Sequence, residues 1–214
     1  MKSRGPGHET PMKLVILDRD GTINEDRDDY VKSADEWVPV PGSLEAIARL
    51  NHAGWHTVIA TNQSGLARGL FDMAALNAIH ERMNRELAMF GGRIDAVFFC
   101  PHHPDDRCKC RKPLPGLFSI IGERYGIDLS ETYVVGDSPG DLQAGAAVGC
   151  APHLVLTGKG ARLDAAALDR VAAELPHAVV HADLAAFAHQ LVQRERHSRG
   201  EPDEADSSFS KLDG

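Results

Sequence analysis

Four short polar segments of the sequence contain residues that can bind a metal ion and a phosphoryl group. Each segment follows an apolar run, and the four read DRDGT from Asp18, TNQSG from Thr61, CRKP from Cys110 and GDSPGD from Gly136. Carboxylate oxygens are the ligands that Mg²⁺ prefers, and a lysine beside the ion neutralises phosphoryl oxygens. The residue types and their order therefore indicate magnesium-assisted phosphoryl transfer.

The first segment supplies a nucleophile, because a carboxylate is the natural choice where no base-activated serine or cysteine stands nearby. Attack by Asp18 would form an aspartyl-phosphate and so split hydrolysis into two easier steps. Asp20 would protonate the leaving alcohol and later take a proton from the attacking water, provided that its surroundings raise its pKa. Gly21 permits the tight turn that this segment needs.

A second set of ligands crowds one loop, where three thiols and one imidazole lie within eleven residues: Cys100, His102, Cys108 and Cys110. Such soft ligands suit tetrahedral Zn²⁺, and four protein ligands leave no open position on the ion. The pattern predicts a structural zinc that pins the loop carrying Arg111 and Lys112. His103 competes with its neighbour His102 as the ligand, and free thiols or a redox site are the alternative interpretation of the cysteines.

Alternating strands and helices must position these segments. Apolar runs predict strands over residues 14–18, 56–61, 96–100, 132–137 and 153–157, with an edge strand at 178–181. Helical periodicity and cap residues predict helices at 43–53, 72–90, 117–125, 142–148, 165–175 and 184–192. This α/β order predicts a doubly wound parallel sheet with helices on both faces, whose ligands lie at the carboxyl ends of the strands.

Length and composition predict a single folded domain. The 214 residues are 43% hydrophobic and 25% charged, which suffices for one full core. We expect a mobile arm at residues 1–11, the domain at 12–194 and a disordered tail at 195–214, because the chain there is charged and rich in serine.

Charge and hydropathy indicate which class of partner and which cellular compartment to expect. The net charge is −8 and the lysines and arginines are scattered, so no basic footprint for nucleic acid or an anionic membrane is present. A small soluble substrate is expected instead. No apolar run approaches the roughly 20 residues of a spanning helix, and the first residues lack a signal peptide, which predicts a cytoplasmic protein. In that reducing compartment, crowded cysteines indicate a metal rather than a disulfide.

In their order along the chain, the four segments resemble the four motifs of haloacid dehalogenase (HAD) superfamily phosphatases. The resemblance implies that Asp18 is the nucleophile and Asp20 the acid and base. Two further residues, Thr61 and Asn62, would donate hydrogen bonds to the phosphate, and Lys112 would stabilise the phosphoryl group.

The same resemblance implies how Mg²⁺ is held, namely by Asp18, the backbone carbonyl of Asp20, and Asp137. Asp141 matches the second acidic position of the last motif, and it could equally be the N-terminal cap of its helix. In this superfamily large cap domains are inserted between motifs, but the 42 residues between Asp18 and Thr61 leave no room for one. A capless, monomeric phosphatase with an open site is therefore expected.

A narrower resemblance covers about residues 13–159. The segments DRDGT and TNQSGLARG, together with the CPHH and CKCRKP parts of the cysteine loop, closely resemble the family of D-glycero-D-manno-heptose 1,7-bisphosphate 7-phosphatases. Members of that family make precursors of lipopolysaccharide or of glycoprotein heptose. The family pattern is Cys-x-His, which favours His102 over His103 as the zinc ligand.

The narrower resemblance also implies which residues recognise the sugar: Asp26, Tyr30, Gln63 and Ser64 of the TNQS turn, and Arg111. An arginine there could hold the second, anomeric phosphate by a bidentate contact. Ser138 is also expected among the substrate-binding residues. It stands where other members carry lysine, which removes one possible phosphate contact and leaves the preferred anomer open.

Two rival functions share parts of this pattern. Histidinol-phosphate phosphatase has the same capless core and zinc loop, but its substrate carries a cationic amine, and Arg111 beside Lys112 favours an anionic one. A catalytically dead, zinc-stabilised binding protein would have lost a catalytic group, whereas every predicted one is present. A polynucleotide 3'-phosphatase is also capless, but the acidic composition counts against it.

Overall fold

Six parallel strands form one sheet in the computed structural model, which describes residues 12–200. The strands are β1 Leu14–Leu17, β2 His56–Asn62, β3 Ala96–Cys100, β4 Tyr133–Gly136, β5 Ala151–Val155 and β6 Val179–His181, in the spatial order β3-β2-β1-β4-β5-β6. Every pairing between neighbours is parallel. The predicted doubly wound α/β sheet is confirmed, with each strand within two residues of its predicted ends.

Five helices connect the strands and a sixth follows β6: α1 Ser43–His52, α2 Met73–Met89, α3 Gly116–Tyr125, α4 Pro139–Ala146, α5 Ala165–Glu174 and α6 Leu184–Ser198. Three of them begin at an aspartate whose side chain accepts a hydrogen bond from the backbone three residues on, at Asp72, Asp164 and Asp183. Helix α4 begins three residues before its predicted start at 142, because Pro139 occupies its first turn, where a missing N–H costs nothing.

Helices cover both faces of the sheet, as predicted. Successive side chains of β1 point to opposite faces, and all four are fully buried. Val15 and Leu17 belong to a core formed with α1, α2 and α6. Leu14 and Ile16 belong to a second core formed with α3 and α4. Burial on both faces explains why the strand reads as a continuous apolar run.

The connections that could hold a cap domain are short. Between β1 and β2 lie one 3-10 helix, Ala34–Glu36, and α1; between β2 and β3 lies α2. Within residues 12–200 neither connection contains an additional domain, in agreement with the capless prediction. The described helices also include none that is both long and apolar enough to cross a membrane.

The predicted tail begins too early at residue 195. Helix α6 continues to Ser198, and the Glu195 carboxylate lies 2.7 Å from Lys13 Nζ. This ion pair and the packing of α6 against α1 hold the last turns, which local composition could not reveal. The predicted arm at 1–11 and the rest of the predicted tail, 201–214, lie outside the described residues.

The close approach of α4 to β4 gives a test of the fold. A Cβ added at Gly145 would overlap the side chain of Val134, so we expect Gly145→Ala to lower the free energy of unfolding by about 1–3 kcal/mol. Gly140→Ala in the same helix is the control, because its added Cβ meets its nearest neighbour at 3.8 Å. Urea denaturation of both variants measures the difference, and equal stabilities would contradict the close packing.

Candidate active site

The carboxyl ends of four strands meet around one cavity of about 380 Å³, a size typical of small-ligand sites. Eleven of the predicted site residues line it: Asp18, Asp20, Asp26, Tyr30, Thr61, Asn62, Gln63, Ser64, Arg111, Lys112 and Ser138. Asp137 follows β4 and is fully buried at the base of the site. The sheet therefore brings together the residues that the sequence places in four separate segments.

Lys112 is the central cation of the site and is only 6% exposed. Its Nζ lies 2.8 Å from Asp18 Oδ1, pairs with Asp141 Oδ1, and donates to the carbonyl oxygen of Ala60 at 2.7 Å. Burial by itself lowers the pKa of Lys112, but the carboxylates of Asp141 and Asp18 outweigh it and hold the pKa above its usual value. The ammonium therefore stays charged.

Asn62 holds the backbone of Lys112 rather than facing the cavity with a free amide. Its Nδ2 donates to the carbonyl oxygen of Lys112 at 3.1 Å, and its Oδ1 accepts from the N–H of Lys112, also at 3.1 Å. The family resemblance implies that Asn62 donates a hydrogen bond to the phosphate. The structure instead engages both ends of its amide in fixing the lysine, because β2 and the loop after β3 converge there.

Three carboxylates cluster at the base of the cavity, where Asp18, Asp137 and Asp141 each offer an oxygen within 4.8 Å of the others. Burial, with the Asp141 charge next, raises the pKa of Asp18 to about 6. Burial, followed by the charges of Asp18 and Asp141, raises the pKa of Asp137 to about 8. Such crowding is costly unless a cation compensates it.

A hard divalent cation fits this cluster. Asp137 Oδ2 accepts from the backbone N–H of Lys159 at 2.7 Å, whereas its Oδ1 is buried and has no hydrogen-bond partner among residues 12–200. Buried oxygens without a donor are rare in proteins, and oxygen-only ligand sets are what Mg²⁺ binds. The cluster therefore fits Mg²⁺ at two of the predicted ligands, Asp18 and Asp137, with Asp141 as an additional carboxylate, and the role of the Asp20 carbonyl stays a prediction.

Asp141 is not the N-terminal cap of α4, which was one of its two predicted roles. Ser138 is the cap residue, and Asp141 lies three positions later, where its Oδ2 accepts from the Ser138 N–H at 3.0 Å and from Oγ at 2.6 Å. This capping box leaves Oδ1 for Lys112. The Ser138 hydroxyl, predicted to contact substrate, is therefore committed to Asp141.

Asp20 is held by several donors at once. Its carboxylate accepts from Arg19 Nη2 at 2.9 Å, from Asn24 Nδ2 at 2.9 Å and from Gln63 Nε2 at 2.8 Å. Burial favours a raised pKa, but the Arg19 charge and these hydrogen bonds outweigh it and lower the pKa of Asp20. The raised pKa that acid catalysis by Asp20 requires is absent in this arrangement, because Arg19, its neighbour in the motif, turns its buried guanidinium onto the carboxylate.

The close packing around the base of the site explains the glycine of the first motif. Gly21 has φ of +85°, and a Cβ there would overlap the Asp137 carboxylate. The predicted tight turn is confirmed, and the glycine also lets the two strand ends approach each other.

The outer part of the cavity is formed by the loop after β1 and the cysteine loop. Tyr30 has a positive φ of 68°, and its hydroxyl lies 3.4 Å from Ser64 Oγ. Asp26 Oδ1 lies 3.1 Å from Lys159 Nζ, a lysine that belongs to none of the four predicted motifs. Arg111 lines the cavity, and its Nη1 is buried without a hydrogen-bond partner among the described residues.

The cysteine loop brings its four predicted ligands together. Cys108 Sγ lies 3.6 Å from the Sγ atoms of both Cys100 and Cys110. His102 Nδ1 lies 3.5 Å from Cys100 Sγ and 3.3 Å from Cys110 Sγ. Ligands of a tetrahedral zinc, bound at about 2.3 Å for sulfur and 2.0 Å for nitrogen, would lie roughly 3.5–3.8 Å apart. The donor set therefore fits Zn²⁺ without rearrangement.

The structure favours His102 over the adjacent His103 as the fourth ligand, because His103 is not part of the cluster. Its Nδ1 accepts from the N–H of Asp105 at 3.3 Å and caps the short 3-10 helix Pro104–Asp106. The cluster within ligand distance contains His102. The cysteine sulfurs form no disulfide.

Comparison with known proteins agrees with the site geometry. A family model described as HAD-hydrolase-like matches residues 109–186. A relative from Bordetella bronchiseptica, named D-glycero-beta-D-manno-heptose-1,7-bisphosphate 7-phosphatase, is 58% identical over 183 residues, which are 85% of this chain and 99% of the relative. A relative of the same name from Pseudomonas aeruginosa is 53% identical over 181 residues, covering 84% and 98%.

A solved structure extends the likeness to three dimensions. The crystal structure of D,D-heptose 1,7-bisphosphate phosphatase from B. bronchiseptica, complexed with magnesium and phosphate, has a TM-score of 0.80 and 58% identity, covering 86% of this chain and 99% of that one. Both resemblances that the motifs indicated are confirmed. The chain belongs to the family of D-glycero-beta-D-manno-heptose-1,7-bisphosphate 7-phosphatases, built on a HAD-hydrolase-like fold.

Proposed function

We propose that this protein is a magnesium-dependent phosphatase that removes the 7-phosphate from D-glycero-D-manno-heptose 1,7-bisphosphate through an aspartyl-phosphate intermediate. The observation that carries the proposal is the buried contact of Lys112 with Asp18 beside two further carboxylates. The high identity to relatives of that name supports the substrate. The reaction would supply precursors for lipopolysaccharide. The cytoplasmic location and the monomeric state stay predictions.

Asp18 is the proposed nucleophile, because it directly follows the buried strand β1 and lines the cavity. Lys112 keeps positive charge beside that carboxylate and would stabilise the phosphoryl oxygens as charge develops on them. Mg²⁺ would be held by Asp18, Asp137 and the backbone carbonyl of Asp20, with Asp141 adjacent, and would add positive charge at the phosphoryl group. Thr61 Oγ1 accepts from Gln63 at 3.0 Å, which leaves its own proton for a phosphate oxygen.

Asp20 is the proposed acid and base. In the first step it gives a proton to the bridging oxygen as the phosphorus–oxygen bond breaks, and in the second it takes a proton from the water that attacks the aspartyl-phosphate. The ion pair with Arg19 keeps it charged in this arrangement. A doubly negative phosphate in the cavity would favour its protonated form, because a nearby like charge raises the pKa of a carboxyl group.

Sugar recognition falls to the outer part of the cavity, where Asp26, Tyr30 and Ser64 offer carboxylate and hydroxyl groups to the sugar hydroxyls. Arg111 is the proposed partner of the anomeric phosphate, because its buried Nη1 lacks a hydrogen-bond partner among the described residues. Gln63 would act through Asp20 and Thr61, which it joins. Ser138 and Asn62 would act by holding Asp141 and Lys112 in place.

A structural zinc is the second proposed ion. Cys100, His102, Cys108 and Cys110 would fill its four positions and fix the irregular segment before Arg111 and Lys112. Three thiolates and one imidazole leave no open coordination site, so the ion would stabilise the loop and take no part in the chemistry.

The substrate is tested by phosphate release with Mg²⁺ from both anomers of heptose 1,7-bisphosphate, histidinol phosphate, fructose 1,6-bisphosphate and a 3'-phosphorylated oligonucleotide. We expect kcat/KM to be at least about tenfold higher for one heptose anomer than for the others. Asp18→Asn is the control, since it should abolish turnover and leave the melting temperature near that of the native chain. A preference for histidinol phosphate, or turnover by the variant, would overturn the proposal.

Recognition of the second phosphate is tested by Arg111→Met. Loss of a charge-assisted contact should raise KM for the bisphosphate about 10–100-fold, because such contacts contribute about 1.5–3 kcal/mol. KM for the corresponding heptose 7-phosphate should change little, since it has no anomeric phosphate. Arg107→Met in the same loop is the matched control, because Arg107 is exposed and does not line the cavity. Equal effects on both substrates would remove Arg111 from this role.

Zinc is tested by metal analysis of Cys108→Ala. We expect the zinc content to fall towards zero and the melting temperature to decrease, because the free energy of binding a structural zinc contributes directly to folding. Cys150→Ala provides the control: this thiol is buried away from the cluster and its loss should leave the zinc content unchanged. Native zinc content in the Cys108 variant would contradict the assignment.

A further inference from the structure

Asp20, Arg19 and His80 form a relay of side-chain contacts that runs from the cavity to α2; Arg19 is fully buried, and Asp20 and His80 are partly buried. The Arg19 guanidinium donates to Asp20 through Nε at 3.2 Å and through Nη2 at 2.9 Å to each carboxylate oxygen. On its other side, Nη1 lies 3.3 Å from His80 Nε2. His80 is part of α2, so the relay joins the first motif to a helix that contributes no predicted site residue.

Arg19 and His80 do not line the cavity, and Arg19 has no exposed surface. Neither side chain is therefore placed to contact a substrate bound in the cavity. A guanidinium so deeply buried needs a partner for each N–H group, because an unpaired buried donor costs about 1–3 kcal/mol. The carboxylate of Asp20 satisfies one edge of the group, and the imidazole of His80 satisfies Nη1.

The direction of the contact follows from the charge of Arg19. An arginine nitrogen can only donate, so His80 Nε2 must accept, which requires a neutral ring with its proton on Nδ1. Burial, with the Arg19 charge next, lowers the pKa of His80 to about 4. The ring is therefore neutral near pH 7 and remains an acceptor.

We propose that His80 is a positioning residue for the phosphatase reaction: it fixes the guanidinium of Arg19, which in turn orients the carboxylate of Asp20. The inference rests on the proposed function, because it requires Asp20 to be the acid and base. Without the acceptor, Nη1 would be left unpaired and the guanidinium would turn away from its present plane. Asp20 would then lose the orientation in which it can reach the bridging oxygen.

Substrates with different leaving groups distinguish a positioning role of His80 from a purely structural one. An alkyl or sugar alcohol leaves as a strong base and needs the proton that Asp20 donates as the phosphorus–oxygen bond breaks. p-Nitrophenolate is a weak base that leaves without that proton. Because kcat/KM reports the steps up to formation of the aspartyl-phosphate, loss of acid catalysis should lower it for the sugar phosphate and spare p-nitrophenyl phosphate.

The experiment compares His80→Leu, His80→Gln and His177→Leu with the native chain. We expect His80→Leu to lower kcat/KM for heptose 1,7-bisphosphate about tenfold or more. For p-nitrophenyl phosphate, kcat/KM should change less than about threefold, which is no more than an ordinary surface substitution causes. The carbonyl oxygen of Gln can accept from Arg19, so His80→Gln should recover most of the loss. His177 is exposed, and its variant should behave like the native chain.

The other outcomes distinguish a failure of the proposed substrate from a failure of the positioning role of His80. If the native chain does not cleave the heptose, the proposed substrate is wrong, and the same comparison uses the best alkyl phosphate of the panel. Equal losses for alkyl and aryl phosphates, or no rescue by glutamine in a variant that melts at the native temperature, would overturn the positioning role of His80.

Discussion

The site depends on one buried cation, Lys112, held among carboxylates. Asp18, Asp137 and Asp141 bring three negative charges against this single ammonium, which leaves an excess of two in a region sheltered from water. Burial, followed by the repulsion between these carboxylates, raises the pKa values of Asp18 and Asp137. A divalent cation would cancel that excess, so the same imbalance that makes the empty arrangement costly prepares it for Mg²⁺.

The topology of the sheet decides where this charge can be concentrated. The chain leaves β1 towards β2 on one side, and it returns at β4 on the other, so the strand order reverses between β1 and β4. In open α/β sheets the crevice outside such a reversal is where ligands bind. Asp18 and Asp137 stand at the ends of these two strands. Helices cover both faces of the sheet below the crevice, so the carboxylates at its base are buried away from water.

Sequence patterns are sufficient to predict the features that depend on residues close together in the chain. Apolar runs located all six strands, and the spacing of Cys100, His102, Cys108 and Cys110 located a cluster that the fold assembles. Contacts between distant segments were not predictable in the same way. Asn62 lies 50 positions before the lysine whose backbone it holds, and His80 lies 61 positions after Arg19. Local composition contains no information on such pairs, because only the packed fold brings them together.

The position of Lys112 illustrates how irregular backbone can be made rigid enough for chemistry. No strand or helix contains it, and a loop rich in proline and charge would not hold a side chain by packing alone. Two constraints replace regular structure: the amide of Asn62 binds its backbone on one side, and the cysteine cluster ends two residues before it on the other. The four ligands of the proposed zinc would therefore also support this lysine. On that view, metal binding at the loop and charge balance in the cavity are coupled through a single residue.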